Sequence, residues 1–204
     1  MTAPIPEFDE GSHRYSHEGR PYQSVTQILT GLKLTPPYPP DTGQQARGTA
    51  IHRAAELAVW DRLDDSRTSQ EILPYIEGLR VKMAEMKIRP ILTEVRGVHL
   101  AECYAGTTDL LCTVFDAELA IIDYKSGTPP RCVQLQTAGY GELLAYMESL
   151  KAKPLFTRDK MPRRFSMELT PNRAIIRECT DPYDYHAWLG AVRLFKWLQE
   201  HRKD

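Results

Sequence analysis

The sequence predicts an α/β fold in which one mixed β-sheet is flanked by α-helices, and three observations point to it. Between residues 24 and 88, apolar side chains recur at helical spacing. Between 91 and 125 they alternate instead, as in strands. Beyond 132 come a further helical pattern, a pair of alternating runs and a last helical pattern. Strands bracketed by amphipathic helices bury their apolar faces by layering the helices on one sheet. A chain of 204 residues is long enough for one sizeable domain. The expected division is an N-terminal hairpin, helix and proline-rich loop, 1–40, appended to a single core domain, 41–204.

Taken in order, the opening dozen residues read as loosely ordered. The run HRYSHEGRPYQ sets Glu18-Gly19 between two short polar and aromatic stretches, the pattern of a small hairpin. Ser24 then suits an N-cap, with Val25, Ile28, Leu29 and Leu32 at helical spacing behind it. Pro36, Pro37, Pro39 and Pro40 exclude both helix and central strand. A helix is expected from Thr42 or Gly43 to Trp60, burying Ala50, Ile51, Ala54, Ala55, Leu57 and Ala58. A second is expected over 69–87, with Ile72, Ile76, Leu79, Val81 and Met83 toward the core, and Pro90 breaks the pattern. Three strands follow in ILTEVRGVHL, TTDLLCTVF and LAIIDYK. Residues 132–150 return to helix, RRFSMELT and RAIIREC form a hairpin around Pro171-Asn172, and 183–200 is helical. That last helix should bury Trp188, Leu189, Val192, Leu194, Phe195 and Leu198.

Composition narrows the function classes. Apolar residues make up 42% and charged residues 26%, the balance of a soluble globular protein. No stretch approaches the roughly 20 apolar residues of a membrane span. The acidic, polar start MTAPIPEFDEGS does not read as a signal peptide, so a cytoplasmic protein without membrane association is expected. With 26 basic and 27 acidic residues the net charge is −1, which argues against DNA binding by bulk electrostatics but not against a local basic groove. Cys103, Cys112, Cys132 and Cys179 share no two-residue gap of a zinc or redox motif and read as buried thiols.

Chemistry concentrates in AIIDYKSG. Its apolar strand ends in Asp123-Tyr124-Lys125, and residues i and i+2 of a strand share a face. A carboxylate and an ammonium at the end of an apolar strand are costly to bury without partners or a task. The preceding strand carries Asp109. If Asp116-Ala117-Glu118 is the turn, Phe115 pairs with Leu119, Asp109 lies opposite Lys125 and Leu111 opposite Asp123, all on one face. A slip of one residue would put Asp109 on the other face. Two carboxylates and a lysine on one face suit Mg²⁺ or Mn²⁺, which take oxygen ligands. A structural Asp–Lys pair bridging strands is the alternative. His52, with Gly48 a turn before it, lies on the inward stripe of its helix, where a core histidine is also at home. Gln136 and Tyr140 share one face of the helix after the lysine strand.

Four elements in this order resemble the RecB-type branch of the PD-(D/E)xK nuclease superfamily: a G-x-x-x-H helix (Gly48 to His52), a G-x-x-D strand (Gly106 to Asp109), a D-x-K strand (Asp123 to Lys125) and a Q-x-x-x-Y helix (Gln136 to Tyr140). The resemblance covers roughly residues 45 to 145 and implies a restriction-endonuclease-like core. It implies Asp109, Asp123 and Lys125 as catalytic residues, and His52, Asp109, Asp123 and the Tyr124 backbone carbonyl as ligands of Mg²⁺ or Mn²⁺. Glu94 resembles an acidic position that many members carry near the metal; an exposed strand face is its other reading. Gln136 and Tyr140 would support the site or touch DNA. Some relatives hold an iron–sulfur cluster, but the cysteines here do not match that pattern, so no cluster is expected.

Residues 151–164 hold six basic residues against one acidic, so Lys151, Lys153, Arg163 and Arg164 are candidate phosphate contacts or a solvated basic loop. Phe156 and Phe165 either stack bases or join the core. The expected function is a metal-dependent DNA nuclease, foremost an exonuclease on linear or single-stranded DNA, in a bacterial or phage-infected cell. The chain has no P-loop motif, so ATP-driven unwinding would come from a helicase or a recombination or replication partner. The competing readings are a catalytically inactive DNA-binding module with the same fold, a structure-specific endonuclease, and a hydrolase of small phosphorylated substrates.

Overall fold

The computed structural model describes residues 3–35 and 43–201. The proline-rich run at 36–40 and a helix start at Thr42 fall outside those residues. Along the chain lie β1 (Glu7–Asp9), β2 (Arg14–His17), β3 (Arg20–Ser24), α1 (Val25–Gly31), α2 (Gln44–Val59), α3 (Leu73–Glu85), β4 (Arg89–His99), β5 (Tyr104–Val114), β6 (Glu118–Lys125), α4 (Val133–Ser149), β7 (Arg163–Thr170), β8 (Arg173–Glu178) and α5 (Asp184–Glu200). Among the described residues the strands form one mixed sheet, in the order β1-β2-β3-β5-β6-β7-β8 with β4 paired to β5. The fold is therefore α/β, a central mixed sheet between helices, as the periodicities predict.

Strand parity builds two cores. Leu110, Cys112 and Val114 of β5 and Ala120, Ile122 and Tyr124 of β6 pack with Ile51, Ala55, Ile76 and Leu79 of α2 and α3. The alternate residues Leu111 and Ile121 face α1, α4 and α5, where Leu143, Trp188 and Val192 are buried. Helix α3 sits unusually close on the β7–β8 hairpin. A Cβ on Gly78 would come within 2.5 Å of the Arg173 backbone nitrogen, and the Asn172 N–H donates to the Pro74 carbonyl at 2.6 Å.

The N-terminal segment is built into the same sheet. Glu18 and Gly19, at φ 50° and 74°, give the β2–β3 hairpin the left-handed pair of a tight type I′ turn. Ser24 and Gln27 close a reciprocal capping box at the start of α1. β3 then pairs in parallel with Tyr104 and Ala105 of β5, and Val25, Ile28 and Leu29 are buried in the second core. β1, three residues long, lies within the stretch expected to be loosely ordered; it is too short to show a period.

Several expectations shift. Helix α3 begins at Leu73 instead of residue 69, because Pro74 belongs in a first turn. Val81 is exposed: Ile72, Ile76 and Leu79 set the inward stripe, and a position two beyond Leu79 falls on the far side. In α5 the stripe is Trp188, Val192 and Phe195, which turns Leu194 and Leu198 outward. Pro90 does not end an element but lies inside β4, beside a register irregularity. Among the described residues β4 pairs with β5 alone, so the missing proline N–H can sit on the open edge at no cost to the ladder. Cys112, Cys132 and Cys179 are buried free thiols, whereas Cys103 is exposed.

Candidate active site

The site is set by the way β5 divides its inner edge. One edge of β5 is taken by β4 along nearly its whole length. The other is shared: β3 holds Tyr104 and Ala105, β6 holds Leu110 to Val114. Between them Gly106 to Asp109 face a fork in the sheet. There the Asp109 carboxylate accepts the backbone N–H of Tyr124 at 2.6 Å, extending by a side chain the contact between two strands that no longer pair.

The register differs from the expected one by two residues. The turn is Phe115-Asp116-Ala117, with Phe115 and Asp116 at φ 49° and 85°, and Thr113, not Phe115, faces Leu119. Continued by count, that register sets Asp109 level with Asp123 instead of Lys125. A slip of two keeps every side chain on its face, so the three residues still share one region. Lys125 Nζ lies 2.5 Å from Asp123 Oδ2. That oxygen is buried without a partner in good hydrogen-bond geometry, and the Lys125 ammonium is the charge beside it.

His52 enters from α2, its Nδ1 3.6 Å from Asp109 Oδ2 and its ring edge-on to Tyr124. Gly48 lets the helix come this near, since a Cβ there would stand 3.0 Å from Ser126 Oγ, just past β6. Gly106 serves the opposite face, where a Cβ would press on the Tyr140 ring at 3.2 Å and on Val25 at 3.3 Å. Gln136 donates to the Tyr140 hydroxyl at 3.0 Å, and both are buried behind the fork. All four sequence elements thus converge on one place.

The environment drives the two aspartates apart. Burial pushes Asp109 upward, but His52, Lys125 and the Tyr124 N–H outweigh it and hold the carboxyl below its usual range. For Asp123 burial prevails over Lys125, with Asp109 adding to it, and the carboxyl is raised. Burial disfavours charge on His52, yet Asp109 leaves the imidazole above its ordinary value. Glu94 also belongs here: burial, then Asp109, pushes it up to about 7, opposed by His52. Its backbone is left-handed at φ 49°, a conformation of a non-glycine residue that carries strain.

Among the described residues, no three His, Cys, Asp or Glu side chains are grouped so that together they could hold a metal ion. Mg²⁺ asks for less, one or two carboxylates with water and substrate oxygens. Asp109 and Asp123, one of them with a buried oxygen lacking a hydrogen bond, fit that need, with His52 beside Asp109.

The basic segment is corrected in part. Arg164 is buried, donating to the Gln134 and Asp181 carbonyls and to Asp184 at 2.8 Å, so it fastens α4 and α5 to β7 and does not meet a phosphate. Arg163 is bound by Glu178 and Glu118 and sits beside Ala120, toward the end of β6 away from Asp123. Lys151 pairs with Glu148, and Lys153 is exposed. Phe156 and Phe165 are core residues. Other neighbours of the site escaped the sequence reading. Ser166 and the buried Glu168 on β7 stand beside Asp123 and Lys125 in parallel register, and Tyr15 on β2 bonds Thr107 at 2.7 Å within the fork. The alternation in RRFSMELT was the available signal for the first two; for Tyr15 there was none, since it depends on β3 joining β5.

No family model matches the chain, and no curated protein matches it. Among solved structures, the crystal structure of SSO0001 is similar over 88% of this chain and 87% of that one, at 14% identity and a TM-score of 0.37. Among the described residues no helix is long and apolar enough to cross a membrane.

Proposed function

We propose that this protein is a divalent-metal-dependent deoxyribonuclease, acting foremost as an exonuclease on linear or single-stranded DNA. The observation that carries the reading is the fork in the sheet, where Asp109 bridges to the Tyr124 N–H beside Asp123, Lys125 and His52. Asp109 and Asp123, with His52 and the Tyr124 carbonyl completing the set, would hold Mg²⁺ or Mn²⁺. Such an ion, when bound, activates water and neutralises charge at phosphorus.

The chain's own groups supply the rest. The Lys125 ammonium donates toward the oxygen on which charge develops, in a partly buried place where such a contact is worth more than in water. His52 fixes the rotamer of Asp109 and keeps it ionised. Glu94, neutral or ionised near pH 7, is poised to accept a proton at its carboxylate. Gln136 and Tyr140 back the wall of the fork. Action on DNA goes with a cytoplasmic location.

Labelled linear and circular DNA, single- and double-stranded, incubated with Mg²⁺ or Mn²⁺, tests this. Linear DNA should be lost and circles spared; cutting of circles would turn the reading to an endonuclease. Lys125→Ala should lower the cleavage rate by roughly a hundredfold or more with the far-ultraviolet circular dichroism unchanged. A variant that cleaves at the wild-type rate would refute the site.

A further inference from the structure

Helix α2, which supplies His52, continues to its C-cap at Trp60, about 12 Å further along its axis at 1.5 Å per residue. Trp60 is 37% exposed, and its ring is tethered at one edge. Its Nε1 donates to Thr93 Oγ1 at 3.1 Å, and the Arg62 guanidinium stands over the ring at 6.0 Å. Thr93 immediately precedes Glu94. Thr93, though not Trp60 itself, also lines a cleft of about 720 Å³ that runs along β4 past Glu94 to Arg96 and Lys151, and the rest of its wall is largely apolar. Arg96 is braced by its stacking on the Phe8 ring at 4.9 Å.

We propose that Trp60 is a base-stacking platform and that the cleft beside β4 is a subsite for an unpaired DNA strand on its way to or from the fork. The inference rests on the nuclease reading and adds a strand-binding site to it. A half-open indole already tethered at one edge offers a flat apolar face at a reduced ordering cost, and every base has a face to lay on it. A duplex keeps those faces stacked on one another, so this platform selects unpaired bases. Arg96, set beyond Glu94 and paired loosely with the exposed Glu10 at 3.8 Å, meets a backbone phosphate, and the apolar wall takes sugars and base edges. A strand lying in this cleft passes Glu94, which adjoins Asp109.

The test uses the full chain without divalent metal, in EDTA, so that the oligonucleotide stays whole. A Trp197→Phe background removes the other exposed indole, leaving Trp60 and the fully buried Trp188. An unpaired oligodeoxythymidylate should quench the Trp60 fluorescence, and a hairpin duplex of equal length should not. By fluorescence anisotropy, Trp60→Phe should retain most of the affinity. Trp60→Leu should lose roughly tenfold or more, the scale of one stacked base. Thermal melts establish that both variants fold. Equal quenching by duplex, no quenching by the unpaired strand, or wild-type affinity in the folded Trp60→Leu protein overturns the proposal. The two readings fail separately. Quenching without cleavage in Mg²⁺ or Mn²⁺ removes the nuclease and leaves the subsite, whereas cleavage without quenching does the reverse.

Discussion

Glu94 combines a left-handed backbone with a carboxyl that burial, and then the nearby Asp109, raise to about 7. A carboxyl held above its usual 4.5 binds its proton more tightly in the native state than in the unfolded chain. The stability linked to it is whole below about pH 4.5, falls as the pH rises, and is gone above about 7. In EDTA, the melting temperature of the wild type should therefore decline between about pH 5 and 7 relative to Glu94→Gln, which has no proton to lose. Parallel melting curves for the two proteins across that range would show that Glu94 is not so perturbed. At this scale the sequence was most legible where residues carry a spacing. His52, Asp109, Asp123, Lys125, Gln136 and Tyr140 converge, since each motif sits on an element whose period reveals its facing. Arg163 and Arg164 show the limit: a run of basic residues says nothing about the carboxylates and carbonyls that occupy them in the fold.

Elements were legible in kind and less so in their ends. The inward stripes of α3 and α5 are narrower than hydrophobicity alone suggests, so Val81, Leu194 and Leu198 face outward although apolar. Pro90 in β4 could not be placed without knowing that β4 lies at an edge. Close approach between elements is also invisible to periodicity, and Gly78 is the sharpest case. Its α-hydrogen faces the Arg173 backbone, which cannot swing aside like a flexible side chain. Gly78→Ala should destabilise the fold by about 1–3 kcal/mol through overpacking. For a domain of this size that is roughly 2–4 °C of melting temperature per kcal/mol, read by thermal denaturation. The gain in helix propensity from glycine to alanine works the other way, so an unchanged or higher melting temperature would mean that α3 can move off the β7–β8 hairpin.

For the whole molecule, the architecture of helices on both faces of one sheet followed from the order of periods, but the place of the N-terminal segment did not. β3 pairs with β5 for two residues, and α1 fills the second core with Val25, Ile28 and Leu29, so the first 35 residues complete both the sheet and its cover. A chain lacking them would bare Phe195, whose ring lies against Gly31, together with the sides of α4 and α5 that α1 covers. It should show no cooperative thermal transition and should bind a hydrophobic dye such as ANS, as loosely packed states do. A sharp transition near that of the full chain would show that the core stands without them.

The three-residue turn at 115–117 has a consequence of another kind. A strand behaves as a wave of wavelength two, and the turn sets the phase with which β6 returns along β5. A slip of the pairing by one full wavelength leaves Ile122 in its core and Asp123 in the fork, merely sliding one carboxylate along the other. A change of half a wavelength inverts β6, throwing Ile122 into the fork and Asp123 into the packing of α2 and α3. Chemistry and core are thus locked to the same clock, and the pairing of β6 with β5 tolerates slips in even steps only.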